Sequence, residues 1–317
     1  MRAAVLDLGT NTFNLLIAEW ETPPSFHLLY RSVLPVKLGR GGIHQNIILP
    51  EAEERAFMAF GRHMEMVRSY APGRVAAFAT SAFRSAINGS SLARQLETKY
   101  GVPVFIIDGD AEAQLIYDGI IASLTSLPEV DDLFAVLDIG GGSNEFIIGN
   151  RKEIFWKKSF PTGMARLLAL FPPAYPFSSF QKKQIEDYLD STMKELFEAF
   201  DTYRPSLLIG ASGAFDTLYE ILQARTSPED VENRASSYAR PIEKDILLSV
   251  THQVVSSTKE ELERMPGLES SRIEMIGYAS LFIAYIFRKL AFSRFVHSEF
   301  SLKEGVLWRW MHGLSFP

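Results

Sequence analysis

The sequence predicts a mixed α/β protein of two related domains, and two observations support this prediction. One short pattern, an apolar run that ends in aspartate, a tight turn and a second apolar run, occurs at residues 7–17 and again at 138–148. After each copy, segments with helical and with strand periodicity alternate, which is typical of α/β domains. A length of 317 residues also favours two domains over one.

The first half opens with strands and continues with alternating helices and strands. Strands are predicted at Ala3–Leu8, Phe13–Trp20, Phe26–Val33, Val75–Ala79 and Val104–Ile107. Helices are predicted at Glu51–Tyr70, Ser90–Tyr100 and Ala111–Thr125. The first helix has apolar residues at helical spacing, and Pro50 suits its first turn.

The second half repeats this scheme. Strands are predicted at Phe134–Asp138, Asn144–Gly149, Glu153–Lys158, Ser206–Gly210 and Phe295–His297. Helices are predicted at Met164–Leu170, Ser179–Phe200, Ala214–Gln223, Glu243–Ser257, Ser271–Leu290 and Lys303–His312. Pro128 and the acidic stretch 129–132 mark the expected boundary between the two domains.

The composition excludes several functional classes. A net charge of −6 argues against a general nucleic-acid or membrane-surface binder. The absence of cysteine excludes disulfides, thiolate metal sites and cysteine nucleophiles. The N-terminus has no signal-peptide pattern, and the apolar run 281–287 is too short to span a bilayer. We therefore expect a soluble, cytoplasmic protein.

Both turns have the composition of an anion-binding loop. Three consecutive glycines in the second turn allow successive backbone N–H groups to approach one anion, and both turns carry hydroxyl groups. The predicted phosphate-binding residues of the two turns are Asp7, Gly9, Thr10, Asn11, Gly140, Gly141, Gly142 and Ser143. A single copy could be an ordinary hairpin turn, but two matched copies favour phosphate binding.

The aspartates of the turns require an explanation, because a carboxylate repels phosphate unless a cation lies between them. Asp7, Asp138 and Glu145 could hold Mg²⁺, which prefers oxygen ligands. The alternative is that Asp7 and Asp138 only cap their turns by accepting backbone hydrogen bonds. Which of these three carboxylates would be ligands stays open at this point.

Three further motifs lie where predicted strands end, the usual place for sites in α/β folds. Arg84 follows one strand and could clamp phosphate oxygens with its guanidinium. Glu112 lies in the first turn of a helix that follows another strand. The glycine turn with Gly210, Ser212 and Gly213 forms a third corner that could accommodate an anion or a nucleotide. Taken alone, Arg84 could be a surface arginine and Glu112 an acid at the start of a helix. The glycine turn could reflect simple helix–strand packing.

Taken together, these motifs resemble the exopolyphosphatase and guanosine pentaphosphate phosphohydrolase family, within the actin, sugar kinase and Hsp70 superfamily. The matching segments are residues 7–12, 80–88, 107–117, 138–145, 210–213 and 302–307. The resemblance runs essentially end to end and implies the short form of the family. It implies two duplicated actin-like (ribonuclease H-like) ATPase domains with a cleft between them, formed by 1–126 with the C-terminal helix 301–317 and by 127–300.

The sequence departs from the family pattern at three positions. Asn144 stands where threonine is more frequent, and Ala111 replaces one of two consecutive glutamates. Asp108 stands where serine or threonine is frequent, so it adds a negative charge near Glu112. The family's catalytic glutamate falls on Glu112, which is retained.

The resemblance implies hydrolysis of the terminal phosphoanhydride bond of inorganic polyphosphate, with release of orthophosphate and assistance by Mg²⁺. Glu112 would be the general base, and Arg84 would stabilise charge on the transferred group. Asp138 and Glu145 complete the predicted catalytic set, as ligands of the Mg²⁺ ion. The candidate residues of a groove for long chains are Lys37, Arg40, Lys157, Lys158 and Arg166, for which solvated surface charge is the alternative.

Three other functions remain open at this stage. Guanosine pentaphosphate presents the same terminal group as polyphosphate, so a guanosine pentaphosphate 5′-phosphohydrolase is the main alternative. A kinase of the same superfamily would move phosphate to ADP or a small alcohol. A nucleotide-sensing or assembly module would bind without useful turnover. Neither nucleic acid nor membrane is an expected partner, and the oligomeric state is open, with a homodimer as the candidate.

Overall fold

The computed structural model describes residues 1–128, 130, 133–225 and 237–316. The chain divides into two compact units. The first unit contains Met1–Ala122, Gly140–Gly142 and Ser301–Pro317, and the second contains Ser123–Ile139 and Ser143–Phe300. The domain bounds expected from the sequence stay a prediction. Glu129, Asp131 and Asp132 of the expected boundary lie outside the described residues.

The first unit is built on a five-stranded sheet. Its strands are β1 (Arg2–Leu8), β2 (Thr12–Glu19), β3 (His27–Pro35), β4 (Arg74–Ala79) and β5 (Val104–Ile106). They lie in the order β3-β2-β1-β4-β5. The first three strands form an antiparallel meander, whereas β4 runs parallel to β1 and β5 runs parallel to β4. The carboxyl ends of β1, β4 and β5 therefore share one edge of the sheet.

The helices of the first unit cover this sheet and provide its core. They are α1 (Pro50–Tyr70), α2 (Ser81–Ser85), α3 (Gly89–Tyr100), α4 (Gly109–Ser123) and the C-terminal helix, α12 (Leu302–Met311). One apolar core contains Leu6, Phe13 and Leu15 of the sheet together with Phe60 of α1 and Leu92 of α3. The core fixes the sheet against these helices, so the loops at its edge are held by a packed scaffold.

The second unit contains a six-stranded sheet. Its strands are β6 (Phe134–Ile139), β7 (Asn144–Gly149), β8 (Ile154–Phe160), β9 (Leu207–Ala211), β10 (Ala239–Ile242) and β11 (Arg294–Ser298). Their order is β10-β11-β9-β6-β7-β8. Again three strands form an antiparallel meander and the next, β9, runs parallel to the first of them. The same order of strands in both units confirms the predicted duplicated α/β fold.

Most helices of the second unit end close to the predicted residues, but one predicted helix is divided in two and the helix Lys259–Glu263 was not predicted. They are α5 (Met164–Leu170), α6 (Ser179–Thr192), α7 (Lys194–Tyr203), α8 (Gly213–Gln223), α9 (Lys244–Ser256), α10 (Lys259–Glu263) and α11 (Ile273–Lys289). The single helix predicted over 179–200 is wrong, because the backbone leaves helical geometry at Met193 (φ −108°, ψ 23°). Met193 is completely buried and belongs to the apolar core of the second unit. None of the described helices is both long and apolar enough to cross a membrane.

Candidate active site

The first turn is a closed loop whose backbone is held on both sides. The amide of Gly9 donates to the carbonyl of Thr12 (3.0 Å), which closes the turn between β1 and β2. The carbonyl of Thr10 accepts from Leu38 (2.7 Å), and that of Asn11 accepts from Val36 (2.8 Å). Because these bonds fix the backbone, the side chains of Thr10 and Asn11 project from a rigid frame.

The hydroxyl of Thr10 is buried and, among the described residues, has no hydrogen-bond partner. Leaving a buried hydroxyl unsatisfied costs about 1–3 kcal/mol. A ligand oxygen would remove this cost. This agrees with the prediction that Thr10 binds phosphate.

The glycines of the second turn, Gly140–Gly142, belong to the first unit by their contacts. A Cβ atom on Gly141 would lie 2.3 Å from Nδ2 of Asn11. A Cβ atom on Gly142 would lie 2.5 Å from Oγ1 of Thr10 and 2.6 Å from Oγ of Ser81. A side chain at either position would force these polar groups to move, so glycine permits this close approach of backbone to polar side chains. The first unit thus brings together Thr10, Asn11 and two predicted glycines of the second turn.

Ser81 is a site residue that the sequence reasoning did not single out. It begins helix α2, it is buried, and its hydroxyl lies beside Gly142. The signal available in the sequence was its place in the Thr80–Asn88 segment, three residues before Arg84. Residues three apart on a helix lie on one face, so α2 connects the glycine turn to the arginine.

Arg84 and Glu112 form an ion pair. Nη1 of Arg84 donates to Oε2 of Glu112 (2.9 Å) and to the carbonyl of Ile107 (2.8 Å) at the end of β5. Glu112 is only 7% exposed and lies in the first turn of α4. Hydrogen bonds between charged groups are roughly twice as strong as neutral ones, so this pair holds the carboxylate in one orientation. The sequence predicted both residues but not that they bond to each other.

Asp108 acts as the N-cap of α4. Its Oδ1 accepts a hydrogen bond from the amide of Ala111 (2.8 Å). Aspartate is as good an N-cap as the serine or threonine that the resembled family has here. The departure at Asp108 therefore preserves the start of the helix that carries Glu112.

Asp7 has an unusual electrostatic environment within the first unit. Burial raises the pKa of Asp7, whereas Lys303 and a hydrogen bond from Nδ2 of Asn14 (2.9 Å) lower it. Glu304 raises the pKa of Asp7 further by charge repulsion. Lys303 and Glu304 belong to the late motif of the sequence, for which no role was predicted.

In the second unit, Asp138 and Glu145 lie directly opposite each other on β6 and β7. Both are buried, and Oγ of Ser159 donates to Oε1 of Glu145 (2.7 Å). Two carboxylates in this relation repel each other, and a divalent cation would offset the repulsion. No group of three or more His, Cys, Asp or Glu among the described residues is arranged to hold a metal ion. The pair still fits Mg²⁺, which is usually bound through one or two carboxylates, water and substrate phosphates.

The other residues of the second turn are also buried. Ser143, predicted to bind phosphate, is 4% exposed. Nδ2 of Asn144 donates to the carbonyl (2.9 Å) and the hydroxyl (3.1 Å) of Thr162. Asn144, where the resembled family more often has threonine, thus ties the turn to the chain after β8.

The glycine corner after β9 is lined by side chains of the second unit itself. A Cβ on Gly210 would lie 2.6 Å from the Phe215 ring, and a Cβ on Gly213 would lie 2.6 Å from Nη1 of Arg272. Ser212 has a positive φ (71°) and donates through Oγ to the carbonyl of Ile139 (3.1 Å). Packing against the Phe215 ring thus accounts for Gly210, and a role for Gly210, Ser212 and Gly213 in binding stays a prediction.

The candidate groove residues have separate environments. Lys158 forms an ion pair with Glu195 and lies near the Phe160 ring. Lys37 adopts a left-handed backbone conformation (φ 49°) next to the first turn. The participation of Lys37, Arg40, Lys157, Lys158 and Arg166 in a groove stays a prediction.

Comparison with known proteins relates this geometry to a family. The family model described as the Ppx/GppA phosphatase family matches residues 17–314. An exopolyphosphatase from Cytophaga hutchinsonii is 33% identical over 100% of this chain and 99% of its own, with a TM-score of 0.90. An exopolyphosphatase-like protein is 22% identical over 98% of this chain and 97% of its own, with a TM-score of 0.84.

A Ppx/GppA member from Aquifex aeolicus is 20% identical over 99% of this chain and 98% of its own, with a TM-score of 0.76. At such identities the last two similarities establish the fold alone. The family match and the 33% identical relative extend over nearly the whole chain. This chain belongs to the Ppx/GppA phosphatase family.

Proposed function

We propose that this phosphatase is an exopolyphosphatase, which hydrolyses the terminal phosphoanhydride bond of inorganic polyphosphate. One observation carries the proposal. Helix α2 connects Ser81, beside the glycine turn, to Arg84, which holds the buried carboxylate of Glu112. A buried, oriented carboxylate that one short helix links to a phosphate-type turn is an arrangement suited to hydrolysis of a phosphoanhydride.

In the proposed reaction, Glu112 takes a proton from a water molecule. The water oxygen forms a bond to the terminal phosphorus, the bond from phosphorus to the bridging oxygen breaks, and its electron pair stays on that oxygen. Orthophosphate and a shortened chain are the products. Phosphoryl transfer depends on positioning and charge neutralisation more than on covalent help.

The other residues would bind and neutralise the phosphate group. Thr10, Asn11, Gly141 and Gly142 would hold its oxygens through hydroxyl, amide and backbone donors, and Arg84 would stabilise its developing charge. The family implies a divalent cation, and Asp138 with Glu145 would hold it. Mg²⁺, when bound, supplies charge neutralisation for the phosphate oxygens.

The choice of polyphosphate over guanosine pentaphosphate rests on the relative from Cytophaga hutchinsonii, a protein described as an exopolyphosphatase and 33% identical. Guanosine pentaphosphate is the alternative substrate. Release of orthophosphate from polyphosphate, guanosine pentaphosphate and ATP, measured in parallel with and without Mg²⁺, separates these substrates. Preferential release from guanosine pentaphosphate would overturn the choice. A cytoplasmic location and a homodimer stay predictions.

The Glu112→Gln substitution tests the general base. A positioned base contributes roughly 10²–10⁴-fold to a rate, so we expect kcat to fall by about that factor while polyphosphate still binds. Asp110→Asn is the matched control, because Asp110 lies in the same helical turn and is exposed. Turnover at the wild-type rate in Glu112→Gln would remove Glu112 from the mechanism.

A further inference from the structure

The helix that carries Glu112 crosses the C-terminal helix at two glycines. A Cβ atom on Gly305 of α12 would lie 1.8 Å from the carbonyl oxygen of Leu115 in α4. A Cβ atom on Gly119 of α4 would lie 2.1 Å from the carbonyl oxygen of Ser301. Cβ atoms do not approach other atoms this closely. The spacing of the two helices therefore requires glycine at both positions.

A buried ion pair holds the same two helices together. Nη1 of Arg309 donates to Oδ2 of Asp118 (2.7 Å), and the two side chains are only 14% and 6% exposed. Nε2 of Gln114 donates to the other oxygen of Asp118 (3.1 Å). The ion pair lies on the helices that the glycines bring together, so it fixes their register as well as their distance.

The start of the C-terminal helix is fixed too. Oε2 of Glu304 accepts a hydrogen bond from the amide of Ser301 (2.9 Å). Glu304 is only 1% exposed. The capping bond therefore fixes the local geometry of the first turn of α12, which contains the crossing point at Gly305, and the burial of Glu304 packs this turn into the first unit.

These contacts lie close to Glu112. Leu115, whose carbonyl faces Gly305, is one helical turn after Glu112. A helix moves as a stiff unit over one turn, so a displacement at Leu115 also displaces Glu112 and its 2.9 Å bond to Arg84. A Cβ on Gly305 would need a displacement of roughly 1 Å, and such a misplacement can cost about 10²-fold in rate.

We propose that the Gly119–Gly305 crossing sets the position of the Glu112 carboxylate, and that Gly305 is a positioning residue for the hydrolytic step. The inference rests on the proposed role of Glu112 as general base. It assigns a function to the Lys303–Gly305 part of the late motif, which is distant in sequence from Glu112.

A double-mutant cycle tests this inference. We expect Gly305→Ala to lower kcat for polyphosphate by about 10²-fold and to leave KM unchanged. In the Glu112→Gln background, the same substitution should cause little further loss, because the carboxylate it displaces is already absent. Gly73→Ala is the matched control, since a Cβ on Gly73 would meet no atom closer than 3.8 Å. Gly73→Ala should retain the wild-type kcat.

The possible outcomes of this cycle distinguish a failure of the proposed base from a failure of the positioning inference. If Glu112→Gln itself turns over at the wild-type rate, the proposed base is wrong. If Glu112→Gln is impaired but Gly305→Ala lowers kcat by the same factor in both backgrounds, Glu112 keeps its role and the positioning inference is wrong. An unchanged kcat in folded Gly305→Ala also overturns the inference.

If circular dichroism shows that Gly305→Ala does not fold, Arg309→Lys replaces it in the same cycle. Lysine keeps the charge but loses the planar guanidinium that bonds to Asp118. We expect Arg309→Lys to lower kcat less than Gly305→Ala does and to leave KM unchanged. This loss should occur only when Glu112 is present. A wild-type kcat, or a loss that does not depend on Glu112, would refute the inference in this variant.

Discussion

Asp7 and Asp138 occupy equivalent positions in the two hairpins, but they face different residues. Asp7 lies opposite Asn14 on β2, whose amide donates to it. Asp138 lies opposite Glu145 on β7, at the same register position. The first hairpin thus satisfies its aspartate with an amide, whereas the second places two carboxylates together. The two hairpins share the turn pattern but differ in this cross-strand pair, and for this reason we propose that the cation binds at the second hairpin.

Among the changes that test this comparison of the two hairpins, the largest effect is expected from removing the carboxylate of Glu145. We expect Glu145→Gln to raise the Mg²⁺ concentration needed for half-maximal polyphosphate hydrolysis on the order of 10–100-fold, the range typical of changes around metal ligands. Orthophosphate release measured over a series of Mg²⁺ concentrations gives this value. Glu153→Gln is the matched control, because Glu153 is exposed in the same unit. The same Mg²⁺ dependence in Glu145→Gln and wild type would contradict the assignment of Glu145 as a ligand.

The reciprocal change gives the first hairpin the charge pattern of the second. Asn14→Asp removes a hydrogen bond to a carboxylate and adds a like charge opposite Asp7. We expect the free energy of unfolding at pH 7 to fall by about 1.5–3 kcal/mol, and Mg²⁺ to restore part of it. Urea denaturation with and without Mg²⁺ measures both effects.

The pH dependence of Asn14→Asp follows from the pKa of Asp7, which burial already raises. Without the Asn14 amide that pKa rises further. A carboxyl with a raised native pKa stabilises the fold at low pH, and this stabilisation is lost as pH rises above about 4. The variant should therefore lose more stability at pH 7 than at pH 4. Asn150→Asp is the control, since Oδ1 of Asn150 accepts hydrogen bonds from the amides of Lys152 and Glu153, which a carboxylate oxygen can also accept. Equal stability of Asn14→Asp and wild type at pH 7 would show that the Asn14 bond has no energetic role.

The smallest expected effect concerns the strands that follow the two turns. Nε2 of His63 bonds to the carbonyl of Phe13 (3.0 Å), whereas the second turn is tied by Asn144, which does not titrate. Burial lowers the pKa of His63. The unfolded chain therefore binds more protons below about pH 6.5, and stability falls as pH decreases through that range.

His63→Gln should remove this dependence. The free energy of unfolding of wild type should therefore fall toward that of the variant as the pH is lowered from 7 to 5, which urea denaturation at the two pH values measures. In wild type, amide hydrogen exchange should show that strand β2 loses protection at a higher pH than strand β7 as the solution is acidified. If the difference in the free energy of unfolding between wild type and His63→Gln does not vary with pH, His63 is not the titrating group.

Local chemistry allowed the sequence to predict much of the fold. The repeated turns, the periodicity of the strands and most helix ends depend on residues within a few positions of one another. The break in the helix predicted over 179–200 was missed because the buried residues Leu189, Met193 and Leu196 keep helical spacing across it, so apolar periodicity does not reveal it. Strand β10 was missed because Ala239–Ile242 is short and contains a proline, which is tolerated at the edge of a sheet.

The sequence by itself determined where the candidate site residues lie in the chain: two aspartate turns, Arg84 and Glu112. Only the tertiary structure decided their partners. It pairs Arg84 with Glu112, places Ser81 beside Gly142, and brings Gly305 against the helix of Glu112. The physical reason is that turn chemistry and hydrophobic periodicity act between near neighbours in the chain. Contacts between residues far apart in sequence, such as Leu115 and Gly305, exist only once the sheet and its helices have packed.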